Sequence, residues 1–505
     1  MYAHSVTIGN LAEAQFAEIG TRGRQMITRL QVDGFKNLTS VDVAFGPFTC
    51  IAGPNGVGKS NLFDAIGFLC ALSDHSLLDA ALGVRAESGR AATASSIFHR
   101  TSAGTKGRMT LGVEMLVPHS GIDDLGQPAV AAYTFLRYDI SLARAETGLE
   151  IEAETLSYVK KGDAATHLKF EHSRQWRESV VRGARRAPLI STQDDGRILL
   201  HQDKGRGYLG GGSPRPHLAK RLPRTVLSTA NAAENSTAVL AKREMQSWRL
   251  MQLEPSALRE PDSFMASAHL EPRGEHLPAA LARLQKADPD VCEKVANRLS
   301  ELLQGVSALR LDENERRELW TLMLTDTDGI EHEARALSDG TLRFLALAAL
   351  AHDPAATGVI CLEEPENGIH PTRVPAMIRL LGDLATDPMS GVGEENPLRQ
   401  VIVNTHSPVV VGQVSQDDLI LATSVRVHET GEKATVPSFR CLSGSWRQRS
   451  PFPMEVASKG VLHEYFSAFW GASGTVDGQP RPRRVLDRPE VQLLLPGFGG
   501  AADGD

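Results

Sequence analysis

Cysteine is scarce and scattered, five residues in 505: Cys50, Cys70, Cys292, Cys361 and Cys441. Their spacing offers neither a metal-ligand pair nor a disulfide framework, which suits a reducing cytoplasm. Cys50 and Cys361 lie inside apolar, strand-like runs and read as small buried hydrophobes. An unbroken apolar run of about 18 residues, the length a membrane-spanning helix needs, is missing as well, so no membrane association is expected. The N-terminal residues 1–25 lack the basic-then-apolar pattern of a secretion signal and are expected to form a peripheral extension. No heptad repeat persists over three or four turns, which argues against a long coiled-coil arm. Nor is positive charge in surplus. The net charge of −7 implies no global attraction to nucleic acid, leaving only a local basic face to supply one.

The length of 505 residues exceeds what a single core usually organises, so two or three lobes are expected. Apolar residues make up 41% and charged residues 23%, ordinary for a soluble globular protein. Within that unremarkable background one stretch stands out, Gly53-Pro54-Asn55-Gly56-Val57-Gly58-Lys59-Ser60. An apolar run, Phe48 to Ala52, precedes it, and Asn61 to Ile66 follows with helical spacing. Strand, glycine-rich loop and helix in that order make a phosphate-binding loop. Its glycines let backbone N–H groups face a phosphate chain, and the helix adds its positive end. Lys59 is placed for the β and γ phosphates of a nucleotide and the Ser60 hydroxyl for Mg²⁺. Asn55, Gly56, Gly58 and Asn61 complete the expected nucleotide contacts.

Two alternating strands, Ile27–Val32 and Val41–Phe45, precede the loop and suggest a small sheet laid against the nucleotide core. Met109–Val117, Ala131–Ile140 and Leu149–Val159 alternate in turn and read as a meander. Residues 161–333 read as an inserted lobe, loop-rich around Gly205–Pro214 and then mostly helical, with helices over Ala238–Leu250, Leu277–Leu284 and Val291–Leu303. Arg182, Arg185, Arg186, Arg215, Lys220, Arg221 and Arg224 make its first part locally basic, either a nucleic-acid surface or a solvated face. Residues 334–444 return to a core pattern, and 445–505 form a C-terminal extension that decays into Pro, Gly and Arg.

Three further constellations carry chemistry. Val359–Leu362 is a short apolar strand ending in Glu363-Glu364-Pro365-Glu366-Asn367. Its first acid suits a Mg²⁺ shell and its second can polarise a water. A parallel neighbour is expected in Val401–Val403, which ends in Asn404-Thr405-His406-Ser407-Pro408 and presents His406 to a γ-phosphate or a water. Leu337-Ser338-Asp339-Gly340-Thr341 opens the apolar helix Leu342–Leu350. Ser338 is its N-cap, so the stretch is either a plain capped helix or a second anion site. The acidic pair Asp417-Asp418 reads as a solvated turn.

In their order, these four motifs resemble ABC-type ATPases of the RecF/SMC/OLD group, above all the stand-alone bacterial "AAA family" ATPases with an LSDGT signature. The resemblance covers residues 26–72 and 334–410. It implies an α/β fold, an ABC-type P-loop ATPase head with a mixed core sheet, an antiparallel β subdomain and an inserted, mostly helical lobe. The head would comprise 26–160 and 334–444. It also implies two heads meeting head to tail, each ATP held between one P-loop and the other head's signature. Carried over, Lys59 and Ser60 are the phosphate and Mg²⁺ residues, Glu363 the Walker B acid, Glu364 the catalytic base and His406 the switch histidine. Ser338 and Gly340 would touch the γ-phosphate of the partner subunit's ATP, and Asn37 resembles the base-proximal region. Two departures stand out: Glu363 replaces the usual Asp, and no Q-loop glutamine matches between the first helix and the meander. The implied activity is Mg²⁺-dependent ATP hydrolysis coupled to dimerisation, in DNA repair or phage defence, with a separate effector such as a nuclease and with DNA as a possible ligand. The alternative is an ATP-gated, non-enzymatic sensor or scaffold that recognises DNA or a phage component.

Overall fold

The computed structural model describes residues 26–84, 93–101, 104–146, 148–185, 187–203, 215–303, 305–393, 395–429 and 432–470. The expected N-terminal extension, Arg186, the whole glycine-rich loop at 205–214 and residues 471–505 lie outside the described residues. The chain divides into two units, Met1–Val456 and Ala457–Asp505. In the second, Lys459–Trp470 is a helix.

The core of the first unit is a six-stranded sheet built from β1 (Phe48–Ala52), β2 (Arg249–Met251), β3 (Gly358–Glu363), β4 (Arg399–Thr405), β5 (Leu419–Glu429) and β6 (Glu432–Cys441). Their spatial order is β2-β3-β4-β1-β5-β6. Every neighbouring pair is parallel except the hairpin β5–β6. All residues of β1 and β4 are buried, the polar Thr49, Gln400, Asn404 and Thr405 included, as strands covered on both faces require. Because β1 to β4 run the same way, the loops that follow Ala52, Met251, Glu363 and Thr405 all leave from one edge.

A second, wholly antiparallel sheet has eight strands in the order Val41–Ala44, Met26–Asp33, Arg108–Leu116, Phe135–Ala145, Gly148–Tyr158, Ile190–Thr192, Arg197–Leu200 and Arg215–Leu218. The first five match the alternation in the sequence. The last three come from residues expected in the inserted lobe, and so does β2. They are only three or four residues long, too short for a two-residue period to be legible. The remainder of that lobe includes the helices Leu277–Ala287 and Val291–Leu302. They contact a small sheet around Val306–Asn314 and Leu319–Asp326.

Helix α1 (Lys59–Leu72) lies in the apolar core shared by the two large sheets. Leu62, Phe63, Ile66, Phe68 and Leu69 are at most 1% exposed, and Phe35 stacks on Phe68 with ring centroids 5.6 Å apart. A buried glutamine on β4 joins the sheets: Gln400 Oε1 accepts from Ile27 N at 2.9 Å, and its Nε2 donates to Ile27 O at 2.7 Å and Gly46 O at 2.8 Å. The acidic pair 417–418 is not a solvated turn. Asp418 O accepts from Cys50 N at 2.8 Å, and Asp417 accepts from Trp446 N and Nε1. The neighbouring Arg447 guanidinium is fully buried, donating to Ala44 O, Thr49 Oγ1 and Asp417 O. Burial raises the Asp418 carboxyl to about 6 despite Arg447. The pair anchors the C-terminal segment of this unit on β1, a contact made across nearly the whole chain length.

Candidate nucleotide site

At the carboxyl end of β1 the chain turns through Gly53–Gly58 into α1. Gly56 has a φ of 75° and Gly58 one of 119°, backbone that favours glycine. Gly58 is the N-cap of α1 and offers no side-chain cap, so the first-turn amides keep their donor capacity for an anion. A Cβ on Gly53 would stand 2.4 Å from Ala422 O, whereas one on Gly56 would have nothing within 4 Å. The loop is therefore tight against β5 at its start and open at its tip. Lys59 Nζ donates to Gly53 O at 2.7 Å and Pro54 O at 2.9 Å. Burial lowers its ammonium below the ordinary value, against the pull of the nearby carboxylates, Glu364 first. Ser60 is exposed on the first turn of α1, and Asn55 on the loop. Asn61 Nδ2 donates to Asn37 Oδ1 at 2.8 Å, and Asn37 Nδ2 to Val57 O at 3.3 Å. Asn37 thus braces the loop from the side.

β3 delivers Glu363 as its last residue, half-buried and in register with Asn404. Glu364 follows with a φ of 44°, left-handed backbone that carries a strain of about 1 kcal/mol or more for a non-glycine residue. The chain holds it there: Glu364 N donates to Asn404 O at 3.0 Å and Oδ1 at 3.2 Å. Its carboxylate is engaged at both oxygens, with His406 Nδ1 2.7 Å from Oε1 and Asn367 Nδ2 2.8 Å from Oε2. Burial alone would raise this carboxyl, but those two bonds and the nearby Lys59 charge hold it below the ordinary value. His406 is exposed at the end of β4. Lys59, Glu363, Glu364 and His406 are therefore gathered on the loops of three adjacent parallel strands, as expected.

The signature residues stand on α2 (Asp339–His352), whose N-cap is Ser338, with Oγ accepting from Thr341 N at 3.2 Å. Ser338 is exposed and Gly340 buried. A Cβ on Gly340 would lie 3.1 Å from Gly368 O, so the small residue lets the helix start press on the loop after Glu364. Arg343 reinforces that contact by donating to Asn367 O and to Leu253 O. Asp339 pairs with Arg259 at 2.6 Å.

A family model described as an AAA domain, putative AbiEii toxin, Type IV TA system, matches residues 134–412, more than half of the chain. The chain belongs to that family. A second model, the RecF/RecN/SMC N terminal domain, matches 26–84 and covers the phosphate loop. Among curated proteins, the DNA replication and repair protein RecF of Magnetococcus marinus is 50% identical over 44 residues, 8% of this chain and 12% of that protein. RecF of Paenarthrobacter aurescens is 42% identical over 50 residues, 10% of this chain and 12% of that protein. The OLD nuclease of Thermus scotoductus is 49% identical over 41 residues, 8% of either chain. The matched segments span at most about an eighth of those proteins. Among solved structures, an SMC head bound to the C-winged helix domain of ScpA is similar over 82% of this chain and 98% of its own, at 14% identity and a TM-score of 0.42. The SMC head domain from Thermotoga maritima gives 0.36 at 15% identity, with the same coverages. Both likenesses are loose. The family and segment matches together point to the RecF/SMC group of ATPase heads and to ATP binding in general.

One residue beyond the motifs stands beside Glu363. Gln252 directly follows β2, whose Met251 pairs with Leu362, so it emerges beside Glu363. Together with Glu363, Asp64, Phe68 and Arg273 it lines a cavity of about 420 Å³ alongside α1. No local pattern marks it, because β2 is a three-residue strand that enters the core sheet only after the meander is complete. Of the basic segment, Arg185 pairs with Asp203, whereas Lys220, Arg221 and Arg224 are exposed. Among the described residues no helix is long and apolar enough to cross a membrane.

Proposed function

We propose that this protein hydrolyses ATP with Mg²⁺ at a site closed by a second copy of the chain. The carrying observation is the His406–Glu364–Asn367 clasp beside an open, uncapped phosphate loop. Lys59 would exchange its two carbonyl partners for phosphate oxygens. Ser60 and Glu363 offer the oxygen donors that Mg²⁺ prefers, one carboxylate and a hydroxyl beside the phosphates. Bound there, the ion would neutralise charge on the transferred phosphoryl group. Glu364, held ionised, accepts a proton from the attacking water, and His406 steers the carboxylate. Gln252, beside Glu363, is the residue that would report on the γ-phosphate. Ser338 is exposed at the N-cap of α2, where it could meet a nucleotide held by a partner subunit.

Each Glu364 oxygen already holds one bond, so the base is less available to a water until closure rearranges the clasp, and basal turnover is expected to be low. That same feature favours the second reading, an ATP-gated sensor or scaffold in which hydrolysis only resets the assembly. The names of the relatives support a role in DNA repair or in defence; a separate effector, such as a nuclease, is part of the proposal. Lys59→Ala and Glu364→Gln should each abolish phosphate release. Undiminished turnover in either would refute the ATPase reading. Stimulation by duplex DNA would favour the repair role, and silence until a partner is added the scaffold.

A further inference from the structure

The third acid of the β3 loop, Glu366, has no part in the mechanism above, yet it is 7% exposed and lies among the catalytic loops. Its Oε1 accepts from the Thr405 hydroxyl. Its Oε2 is buried without a hydrogen-bond partner. Thr405 is a junction: its hydroxyl oxygen also accepts from Ser407 N at 2.9 Å, and its carbonyl accepts from Gly53 N at 3.2 Å. The Glu366–Thr405 bond therefore fastens three loops together: the start of the phosphate loop, the loop carrying Glu364 and the loop carrying His406. Glu364 sits two residues before one end of this link, and His406 one residue after the other.

We propose that Glu366 is a positioning residue that acts as a hydrogen-bond acceptor and not as a charge, buckling the Glu364 and His406 loops to the phosphate loop. Two features support the second clause. A buried carboxylate with one oxygen unpaired is costly to ionise, and burial, with the Glu364 charge adding, pushes the Glu366 carboxyl up. The buckle also explains how Glu364 keeps its left-handed backbone, since strain of that kind persists only where the surroundings over-determine it. Without the buckle, the base would relax away from the water it must face. The proton count at the reaction centre is unchanged, because Glu366 neither gives nor takes a proton during turnover.

The proposal rests on the ATPase reading, and its test separates the two. Phosphate release and binding of a fluorescent ATP analogue are measured for the full chain and for six variants: Lys59→Ala, Glu364→Gln, Glu366→Gln, Glu366→Ala, Thr405→Val and Thr405→Ser. If either Lys59→Ala or Glu364→Gln keeps full turnover, the ATPase reading fails and this proposal falls with it. With both inactive, Glu366→Gln should stay within about threefold of the parent kcat, because an amide oxygen replaces the acceptor. Glu366→Ala and Thr405→Val should lose roughly tenfold or more in kcat, with analogue affinity within about threefold. Thr405→Ser should restore kcat. Inactivity of Glu366→Gln would show that the charge is needed and overturn the proposal. So would unchanged kcat in Thr405→Val, or an affinity loss matching the kcat loss, which would mark a merely structural role. Should Glu366→Ala fail to fold, the Thr405 pair decides alone.

Discussion

At Gly58 two demands meet. The φ of 119° disfavours any side chain, and a Cβ would stand 2.8 Å from Asn37 Nδ2 and 2.9 Å from Asn37 Oδ1. The first cost belongs to the backbone and the second to a side chain that can be removed. Gly58→Ala is expected to lower stability by about 1–3 kcal/mol and to weaken nucleotide binding, because α1 would start from a displaced loop. Adding Asn37→Ala should recover the contact part of the loss and leave the φ part. Urea melts of the two variants, read with nucleotide titrations, would show it, and full recovery in the double variant would mean that the φ cost is absent. The Cys50 and Cys361 thiols illustrate the opposite case. They are fully buried in β1 and β3 and pushed up by burial, so they serve as packing, as their apolar neighbours suggested.

Helix α2 shows how one element can carry two roles that substitution can pull apart. Ser338 caps it through Thr341 N while standing exposed. Ser338→Ala should cost about 1 kcal/mol of stability as a lost cap. Ser338→Asn keeps a good cap, so it should melt like the parent protein. If the serine hydroxyl also contacts a partner subunit's γ-phosphate, Ser338→Asn should still lose ATP-dependent dimerisation, read by light scattering. A dimer that forms normally would return Ser338 to a cap alone. In the antiparallel sheet, Glu114 is 2% exposed and pairs with Arg29 at 3.3 Å, Arg137 at 3.1 Å and His167 at 2.8 Å. Burial alone would raise its carboxyl, but the His167 bond and the His167, Arg29 and Arg137 charges hold it below 4.5. Its folded value being the lower one, the network stabilises above about pH 4.5, and the contribution drains away as pH falls through the folded value. Glu114→Gln should therefore cost about 3 kcal/mol at pH 7. The gap to the parent should narrow in urea melts below pH 4.5, and a gap constant with pH would sink this account.

Across the whole molecule, what could be read from the sequence was what lies close along the chain. The phosphate loop, the Glu363-Glu364 strand end and His406 are each a strand followed by its own loop, and the buried β1, β3 and β4 announce themselves as apolar runs. Gln252, the Glu366–Thr405 buckle and the Asp417–Arg447 anchor depend on pairing between distant segments or on very short strands, and no local pattern records those. The largest such long-range relation is the one proposed between copies. A site completed in trans places Lys59 and Ser338 of one chain in different sites, and this can be tested without a structure of the dimer. Lys59→Ala destroys the phosphate loop of its own chain but leaves its signature intact, and Ser338→Arg does the reverse. Each variant alone has no complete site. In a mixed dimer, the intact loop of the Ser338→Arg chain faces the intact signature of the Lys59→Ala chain, and one site is whole. Equal mixing puts about half the dimers in that state with one good site of two, so independent sites should return about a quarter of the parent's turnover. Coupling between the two sites of a closing dimer would change the size of the recovery, not its presence. Recovery confined to the mixture would establish the head-to-tail site. A mixture as inactive as its parts, with mixed dimers verified by mass, would rule out that assembly.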